Sequence, residues 1–525
     1  MTETLQSYLA GRWQAGSGEG VPVADAVTGD LVTRVSSEGL DLAAAVDYAR
    51  RTGWTALSEL TFPQRAAALK AAALALEERK EELYELSARA GATRRDAAVD
   101  VDGGIGTALV YSSLGRKGLP EGTLVIEDDP VPLGQGGAFG GQHILTTPRG
   151  VALQVNAFNF PVWGMLEKLA PAFLAGVPTI VKPATPTAYV AVHAVRVIEE
   201  AGVLPEGALQ LVSGSIPGLF DLLGGQDQIS FTGSASTAAR LRSDPAVTQR
   251  SARFNAEADS LNSSVLGPDA TPGEPEFDLF VKALVTEMTV KAGQKCTAIR
   301  RAFVPAPLVD TVSEAVSEAL SKVVVGAPGA EGVRMGALVS LAQRDDVRAA
   351  SARLTAAGRL VFGDPDEVDV TGADPQRGAF LSPLLVRVDD VDRPEPHEVE
   401  AFGPVSTLMP YADAADLVDL LGRGQGSLVG SVVSHDAAFV REVVVGAAAY
   451  HGRFLVLDRD CAGESTGHGT PMPQLVHGGP GRAGGGEEEG GLRAVYAHLQ
   501  RTAVQGSPGV LRSVTGAASE PAPTD

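Results

Sequence analysis

The residues most able to do chemistry in this sequence are an amide, a carboxylate and a thiol, in that order along the chain. Asn159 lies between two phenylalanines, Glu257 follows later, and Cys296 comes after the glycine turn 293–295. A thiol nucleophile, a carboxylate base and an amide that stabilises an oxyanion are the groups needed to oxidise an aldehyde through a thioester. The three side chains predict this chemistry if the fold brings them together.

Cys296 is open to two interpretations, a buried structural thiol or a reactive one. Free cysteines are often buried and inert. Lys295 before it and Thr297 after it indicate an exposed turn at a helix end. A neighbouring lysine and a helix terminus lower the pKa of a thiol from about 8.5, so we expect Cys296 to be partly thiolate. The second cysteine, Cys461, has no base at a suggestive spacing, and we interpret it as incidental.

Glu257 and Asn159 also have plain structural interpretations. Glu257 lies near Arg253 and Asp259, as a solvated surface carboxylate would. Asn159 has apolar neighbours and needs a hydrogen-bond partner, since burying an unpaired amide costs about 1–3 kcal/mol. A structural cap would satisfy this amide, and so would an oxyanion.

Two segments that follow predicted strands contain residues suited to a nucleotide site. Lys182 opens the first, and a lysine at the carboxyl end of a parallel strand is placed to bind a ribose or a phosphate. A solvated strand end is an equally good interpretation of Lys182. The second segment, 231–234, has backbone amides that could hold a pyrophosphate. It is not the G-x-G-x-x-G fingerprint, so its signal is weak.

The elements that must position these residues alternate between strands and helices. Apolar runs predict strands at 151–155, 177–181, 209–212, 228–231 and 428–433. Apolar residues at spacings of three and four predict helices within 41–91 and at 163–174, 188–201, 218–223, 277–291 and 308–324. Strands alternating with helices predict a parallel, doubly wound α/β sheet, which is a nucleotide-binding architecture.

Chain length and net charge limit the number of domains and the kinds of partner that the protein can have. A chain of 525 residues exceeds a single core, so two or three domains are expected. The formal net charge of −21 argues against a nucleic-acid partner, whose binding needs clustered lysine and arginine. A local basic pocket for NADP or CoA remains possible on an acidic protein.

Other sequence features predict where the protein works. No apolar run approaches the ~20 residues that span a bilayer, and the N-terminus has no secretory pattern. Two cysteines cannot build a framework of disulfides, so we expect a cytoplasmic protein. The eight histidines show no spacing typical of a metal site, so no metal is expected.

Together these segments resemble the aldehyde dehydrogenase superfamily over nearly the whole chain. Each motif is short, but six of them occur in the family's order. They are Asn159-Phe160-Pro161, Lys182-Pro183-Ala184, Phe231-Thr232-Gly233-Ser234, Glu257, Gly293-Gln294-Lys295-Cys296 and Glu400-Ala401-Phe402-Gly403-Pro404-Val405. The resemblance implies a Rossmann-like cofactor domain, an α/β catalytic domain and a β-flap for oligomerisation.

The resemblance implies a role for each catalytic residue. Cys296 would attack the aldehyde carbon, and Asn159 would hold the oxyanion together with the backbone N–H of Cys296. Glu257 would activate the water that hydrolyses the thioester. Lys168 and Glu488 resemble the pair that passes the proton of Glu257 outward.

The resemblance also implies a nicotinamide cofactor. Lys182 and Glu400 would bind its riboses, and Phe402 would pack near the nicotinamide. Relatives that prefer NAD often have a glutamate where this chain has Thr185, so NADP is expected here, with NAD possible. The full predicted cofactor set is Val155, Asn156, Phe158, Lys182, Ala184, Thr185, Gly214, Thr232, Gly233, Ser234, Glu400 and Phe402.

Domain limits and assembly follow from the same resemblance. The cofactor domain is expected at 1–125 and 149–256, the catalytic domain at 257–480, the flap at 126–148 and 495–515, and a disordered tail at 516–525. Strands at 142–147 and 501–505 would pair across a homodimer.

Two departures from ordinary family members suggest the substrate. They are Ala258 to Asn262, where Leu-Gly-Gly-Lys is usual, and the C-terminal part at 467–506. Both resemble the branch that oxidises CoA-linked semialdehydes after aerobic ring opening of aromatic CoA thioesters. The expected substrate is 3,4-dehydroadipyl-CoA semialdehyde of the benzoyl-CoA pathway, and the alternative is 3-oxo-5,6-dehydrosuberyl-CoA semialdehyde of phenylacetate degradation. We expect no second, hydratase domain after Asp525, which favours the former.

The catalytic residues disfavour two other classes of protein. A CoA-acylating dehydrogenase usually lacks a base at the position of Glu257, so its presence favours hydrolysis. A non-catalytic binding protein on this fold would be expected to have lost Cys296, Glu257 or Asn159, and all three are present.

Overall fold

The structure is a computed structural model that describes residues 4–516. The predicted tail therefore lies outside the described residues except for Gly516. Within 4–516, no helix combines the length and the apolar character needed to cross a membrane.

The strands of residues 4–516 form five sheets. In chain order they are β1 (Thr4–Leu9), β2 (Arg12–Ala15), β3 (Val21–Ala24), β4 (Leu31–Val35), β5 (Val125–Pro132), β6 (Gly140–Thr146), β7 (Ala152–Val155), β8 (Thr179–Lys182), β9 (Leu209–Leu211), β10 (Gln228–Thr232), β11 (Arg253–Glu257), β12 (Ser263–Leu266), β13 (Arg301–Pro305), β14 (Val325–Gly326), β15 (Arg359–Phe362), β16 (Val370–Thr371), β17 (Leu384–Arg387), β18 (Val405–Tyr411), β19 (Ser427–Val433), β20 (His451–Leu457), β21 (Val476–Gly478), β22 (Glu487–Glu489) and β23 (Gln500–Gly506).

Helices cover the faces of these sheets. In chain order they are α1 (Leu42–Tyr48), α2 (Trp54–Ser58), α3 (Phe62–Glu78), α4 (Lys80–Ala88), α5 (Arg94–Gly118), α6 (Trp163–Leu174), α7 (Ala188–Ala201), α8 (Ala235–Arg242), α9 (Pro245–Thr248), α10 (Pro275–Thr289), α11 (Val309–Ser321), α12 (Leu341–Ala357), α13 (Glu395–Glu398), α14 (Ala414–Gly422), α15 (Ala437–Ala447), α16 (Leu492–His498) and α17 (Pro508–Thr515). A π-helical stretch, Ala49–Gly53, joins α1 to α2.

The first large sheet has the strand order of a nucleotide-binding fold. Its parallel part runs β9-β8-β7-β10-β11, so the chain moves outward from β7 in one direction and then returns to its other side. The switch point lies between β7 and β10, and ligands of open α/β sheets bind at the carboxyl ends of strands at such a point. The remaining strands, β1 to β4, extend the sheet beyond β9 with mixed directions.

The second large sheet runs β15-β17-β18-β13-β12-β19-β20 and is parallel except for β15. Its central strands are buried on both faces, as is typical of a parallel sheet covered by helices on both sides. For example, every residue of β12, β13 and β19 is buried. The chain passes from the first sheet to the second between Glu257, the last residue of β11, and Ser263, the first of β12.

A three-stranded antiparallel sheet lies apart from both. β6 is its central strand, with β5 on one side and β23 on the other. The register pairs Gln142 with Val504 and Thr146 with Gln500, so the two predicted flap strands are neighbours in one chain. Pairing of this sheet across a dimer stays a prediction.

Most of the predicted elements are present near their predicted bounds, with two informative differences. Helices predicted at 163–174 and 188–201 are α6 and α7. The helix predicted at 218–223 is wrong, since only the short 3-10 turn Phe220–Leu222 forms after Gly218, whose φ is +72°. The helix predicted to reach residue 291 ends at Thr289, because Lys291 and Ala292 have left-handed backbones.

Candidate active site

The loop that carries Cys296 begins with three consecutive left-handed residues. Lys291, Ala292 and Gly293 have φ angles of +52°, +51° and +66°. Non-glycine residues adopt this region at a cost, and strain of this kind gathers at functional sites. Gly293 is also required sterically, because a Cβ there would lie 2.1 Å from the carbonyl oxygen of Gly403.

Three buried side chains hold this strained loop in place. The carboxylate of Asp96 on α5 accepts a 3.0 Å hydrogen bond from the backbone N–H of Lys291. Asn262 donates from Nδ2 to the carbonyl oxygens of Cys296 at 2.7 Å and Ala298 at 3.0 Å. Arg300 donates to the carbonyl oxygens of Gly293, Lys295 and Gly403. These contacts hold the thiol in position from three places: from α5, from the residue before β12 and from the residue before β13.

The expectation that Lys295 activates the thiol is wrong. Its side chain is buried and donates from Nζ to Glu287 Oε2 on α10 at 2.7 Å. The pKa of the Cys296 thiol is raised, first by burial and then by the neighbouring Glu257 carboxylate. Cys296 is only half-buried, so it can be reached from the adjoining cavity, but it rests as a thiol rather than as a thiolate.

Glu257 lies at the end of β11 and faces Cys296. A carboxylate oxygen of Glu257, the sulfur of Cys296 and a ring nitrogen of His477 all lie within 4.8 Å of one another. Glu257 is 2% exposed, which excludes the surface-carboxylate interpretation. Burial would raise its pKa, but the positive charge of His477 and then of Lys168 outweighs burial and lowers it to about 2. A carboxylate that stays ionised beside a thiol is suited to act as a general base.

The predicted pair Lys168 and Glu488 is brought together in the structure. Lys168 Nζ on α6 lies 3.0 Å from Glu488 Oε2 on β22 and 2.7 Å from Glu167 Oε1. Burial raises the pKa of Glu488 to about 7. The pKa of Lys168 is raised because the carboxylates of Glu167, Glu488 and Glu257 outweigh its burial. The place of Lys168 and Glu488 near Glu257 is compatible with the predicted proton transfer, and that role stays a prediction.

Asn159 lies in the loop that leads into α6, and this loop is tied to the loop of Cys296. The carboxylate of Asp100 on α5 accepts hydrogen bonds from the backbone N–H groups of Val162 and Trp163, at the start of α6. The ammonium of Lys291 lies 4.8 Å from the ring centroid of Phe160. Asn159 and Cys296 line the same cavity. The structure therefore brings together the three residues of the predicted aldehyde chemistry.

A cavity of about 1050 Å³ opens at the switch point of the first sheet and reaches Cys296 and Glu257. Ten of the twelve predicted cofactor residues line it: Val155, Asn156, Phe158, Lys182, Ala184, Thr232, Gly233, Ser234, Glu400 and Phe402. The other two, Thr185 and Gly214, line an adjoining cavity of about 830 Å³ that shares Lys182. The predicted set thus forms one continuous depression.

Unpartnered polar atoms in this depression fit a bound nucleotide. The amide of Asn156 and the hydroxyl of Thr232 are buried, and they have no hydrogen-bond partner among the described residues. They lie at the carboxyl ends of β7 and β10, on either side of the switch point. Burying such groups is costly unless a ligand or water binds them. Ser234 caps α8 beside them, and a helix N-terminus favours a phosphate.

Charged and aromatic side chains that line the cavity are also compatible with a bound nucleotide. Burial lowers the pKa of Lys182 and raises that of Glu400 to about 7. Glu400 accepts one hydrogen bond, 3.2 Å long, from the backbone N–H of Ser260. The rings of Phe158 and Phe402 meet edge to face at 5.8 Å and line the same cavity as Glu400 and Cys296. NAD and NADP are both chemically compatible with these residues.

Several residues of the site were missed by the sequence interpretation. Glu167, Asn262, Arg300 and His477 contact the predicted catalytic residues or their loop. His477 was considered only for metal spacing. No local spacing singles out this histidine, because its position opposite the carboxylates is set by the pairing of β21 with β22 across an eight-residue connection.

The chain matches a family model and a full-length relative. The model of the aldehyde dehydrogenase family matches residues 13–449. A 3,4-dehydroadipyl-CoA semialdehyde dehydrogenase from Aromatoleum evansii is 48% identical over 478 residues, which cover 91% of this chain and 93% of that protein. Protein MaoC of Klebsiella aerogenes is 50% identical over 182 residues, covering 34% of this chain and 52% of that protein.

Solved structures match the fold at lower identity. A betaine aldehyde dehydrogenase from Staphylococcus aureus in complex with NAD+ superposes with a TM-score of 0.82 and 21% identity, covering 96% of this chain and 95% of that one. A putative aldehyde dehydrogenase from Burkholderia cenocepacia has a TM-score of 0.83 and 22% identity, with 96% and 97% covered.

Proposed function

The chain belongs to the aldehyde dehydrogenase family, and we propose that it oxidises 3,4-dehydroadipyl-CoA semialdehyde to the acid with NADP+. The observation that supports this substrate is the 48% identity to a dehydrogenase of that name over 91% of the chain. A match of this length includes Asn159, Glu257 and Cys296 wherever it begins, since only about 9% of the chain lies outside it. The CoA thioester of the substrate is kept, and only its aldehyde end reacts.

The chain's own residues supply the acid–base steps. Glu257 takes the proton of Cys296 as the sulfur attacks the aldehyde carbon, and Asn159 with the backbone N–H of Cys296 stabilises the oxyanion. A nicotinamide cofactor, when bound, accepts the hydride. Once Glu257 has released that proton to solvent, with Lys168 and Glu488 as the proposed route, it removes a proton from water, which adds to the thioester carbon. The C–S bond breaks and Cys296 leaves as a thiolate.

An assay with a matched pair of substrates tests this proposal. One is the CoA-linked semialdehyde of the adipyl type and the other a free aliphatic aldehyde of similar length, with formation of reduced nicotinamide followed by absorbance. We expect efficient turnover of the CoA-linked compound only. Equal turnover of both would contradict the assignment and indicate a general aldehyde dehydrogenase.

A second candidate substrate is 3-oxo-5,6-dehydrosuberyl-CoA semialdehyde. The departures from the family pattern at 258–262 and 467–506 resemble the dehydrogenases of both compounds, which keeps this candidate open. The same assay separates the two by comparing kcat/KM for the adipyl and the suberyl compounds. A higher value for the suberyl compound would replace the first assignment.

NADP is the proposed cofactor because of Thr185. Thr185 lines the cavity that adjoins Lys182, and a neutral side chain there leaves room for a 2′-phosphate. In Thr185→Glu, the added carboxylate would repel that phosphate, so we expect kcat/KM for NADP to fall by at least about tenfold while the value for NAD changes less. Thr185→Gln is the neutral control of the same size. An equal loss with both cofactors would contradict the proposal.

The proposed assembly is a homodimer in the cytoplasm. The sheet of β5, β6 and β23 exposes apolar side chains such as Ile126 and Val131, and a partner copy would cover them. Both cysteines are free, which is compatible with a reducing compartment. Sedimentation of the purified protein tests the dimer, and a monomer at micromolar concentration would contradict it.

A further inference from the structure

His477 makes the closest ion-pair contact of the candidate base. Its Nε2 lies 3.2 Å from Glu257 Oε2, and both side chains are 2% exposed. His477 sits in β21, whose partner strand β22 places Glu488 opposite it. The ring therefore approaches Glu257 from a hairpin near the C-terminus, whereas Lys168 approaches from α6.

The surroundings of the pair are rich in carboxylates and short of cations. The titratable groups that face Glu257 or His477 are Cys296 from the loop, Glu167 and Lys168 from α6, and Glu488 and Glu489 from β22. With Glu257 itself, this makes four carboxylates and two cationic groups. An ionised Glu257 in such a place needs a positive charge in direct contact, because like charges and burial both favour the protonated acid.

We propose that His477 is a positioning residue that holds Glu257 as a carboxylate turned toward the reacting centre. This inference deepens the proposed function and rests on it, since Glu257 is the base of that reaction. The imidazolium contacts one carboxylate oxygen, Oε2, and this fixes the carboxyl group, of which one oxygen lies within 4.8 Å of the Cys296 sulfur. Lys168 supplies charge from farther away.

Unpaired atoms behind the ring indicate how His477 itself is kept charged. Nδ1 of His477 is buried, and so are both carboxylate oxygens of Glu489; among residues 4–516 none of these atoms has a hydrogen-bond partner. A buried donor and a buried acceptor in one cluster are suited to share a bridging water. Burial would lower the pKa of His477, but Glu257 and then Glu167 and Glu489 outweigh it and raise it to about 9.

The test uses p-nitrophenyl acetate, which requires neither the cofactor nor the CoA substrate. Glu257 takes the thiol proton, the sulfur takes the acetyl group and p-nitrophenolate leaves in a burst, after which Glu257 releases its proton to solvent. Water then loses a proton to Glu257 and adds to the thioester, releasing acetate and the Cys296 thiolate. The size of the burst reports the nucleophile, and the pH dependence of the steady rate reports the base. Both are measured against pH for the full-length protein and for His477→Gln.

We expect the steady rate of the wild type to keep its plateau well below pH 5, because the contact with His477 lowers the pKa of Glu257 to about 2. Loss of the imidazolium raises the pKa of Glu257, so the base form disappears at a higher pH. In His477→Gln, the acid limb should move up by about 1–3 pH units, and the burst should persist. A variant limb that superimposes on that of the wild type would overturn the inference.

Two further measurements keep the test decisive. His468→Gln changes an equally buried histidine that bonds Ser431 instead, and its acid limb should stay at the wild-type position. If His477→Gln does not fold, the wild type alone still decides, since an acid limb centred at pH 6 or above would overturn the inference. A wild type that shows a burst and a normal acid limb but no oxidation of the CoA-linked semialdehyde would reject the proposed substrate and leave this inference standing.

Discussion

The two cysteines of this chain lie in surroundings that differ in kind. Cys296 is half-buried beside the carboxylate of Glu257 and the ring of His477. Cys461 is also half-buried, but it lies in a turn, where its sulfur is 3.5 Å from the carbonyl oxygen of Val456 and 3.8 Å from that of Asp458. One thiol has a base and a charge partner in a cavity, while the other takes part in local turn hydrogen bonds.

The pKa values sharpen this comparison. Burial raises the pKa of both thiols, so neither is a resting thiolate. A lowered pKa is therefore not what distinguishes the candidate nucleophile. The difference is that Cys296 has a buried, ionised base beside it and a cavity in front of it, and this allows proton transfer as the sulfur attacks.

The largest expected effect separates the two thiols directly. Cys296→Ser should lower turnover by more than about 10⁴-fold, because a serine hydroxyl lacks the nucleophilicity of sulfur in this site. Cys461→Ser should leave kcat and KM within about twofold. Steady-state assay of both variants with the CoA-linked semialdehyde checks this, and comparable losses in the two would break the comparison.

The acidic neighbours of the two thiols provide the next pair of variants. Glu257→Gln removes the base and should slow hydrolysis of the acyl enzyme by about 10²–10⁴-fold. Asp458→Asn keeps an acceptor oxygen for the N–H groups of Asp460 and Cys461, so it should cost at most about 1 kcal/mol of stability and leave turnover unchanged. Stopped-flow assay and thermal unfolding measure the two quantities. A Glu257→Gln variant with normal hydrolysis would reject Glu257 as the base.

Asn159 is expected to donate a hydrogen bond to the oxyanion that forms when Cys296 attacks the aldehyde. Asn159→Ala should lower kcat by about 10²–10³-fold, because the amide stabilises charge that develops only as the sulfur attacks. The KM for NADP should change little if the role of Asn159 is limited to the oxyanion. A loss smaller than tenfold, or one expressed mainly in that KM, would assign Asn159 to structure or cofactor binding instead.

The smallest effect is a shift in thiol titration. The ionised Glu257 raises the pKa of Cys296, so Glu257→Gln should move the midpoint of its alkylation by iodoacetamide to lower pH. Cys461 in the same sample is the internal control and should not move. Mass spectrometry of the two peptides follows each thiol separately. A midpoint for Cys296 that moves upward would show that Glu257 lowers the thiol pKa.

Much of the fold could be predicted because its signals are local. The helices α6 and α7 have the predicted bounds, since apolar spacing along a short segment decides them. The strand order β9-β8-β7-β10-β11 follows the predicted alternation of strands and helices. The failed helix at 218–223 depended on one glycine whose left-handed backbone no periodicity reveals.

The candidate site was predictable in its residues but not in its electrostatics. Motif order identified Asn159, Glu257 and Cys296, and the structure brings these side chains to one cavity. The thiol was expected to be activated by Lys295, its neighbour in sequence, yet that ammonium is paired with Glu287. Adjacent side chains can point in opposite directions, so sequence proximity does not determine which charge a thiol meets.

The sequence by itself determined the chemical types and the local elements of this protein. It supplied a thiol, a base, an amide and alternating strands and helices, because these depend on residue identity and short-range spacing. Only the tertiary structure decided that His477, rather than Lys295, provides the charge closest to the reacting groups. That charge comes from a hairpin far along the chain, and such contacts form only when the core packs and removes the groups from water, which makes their interactions strong.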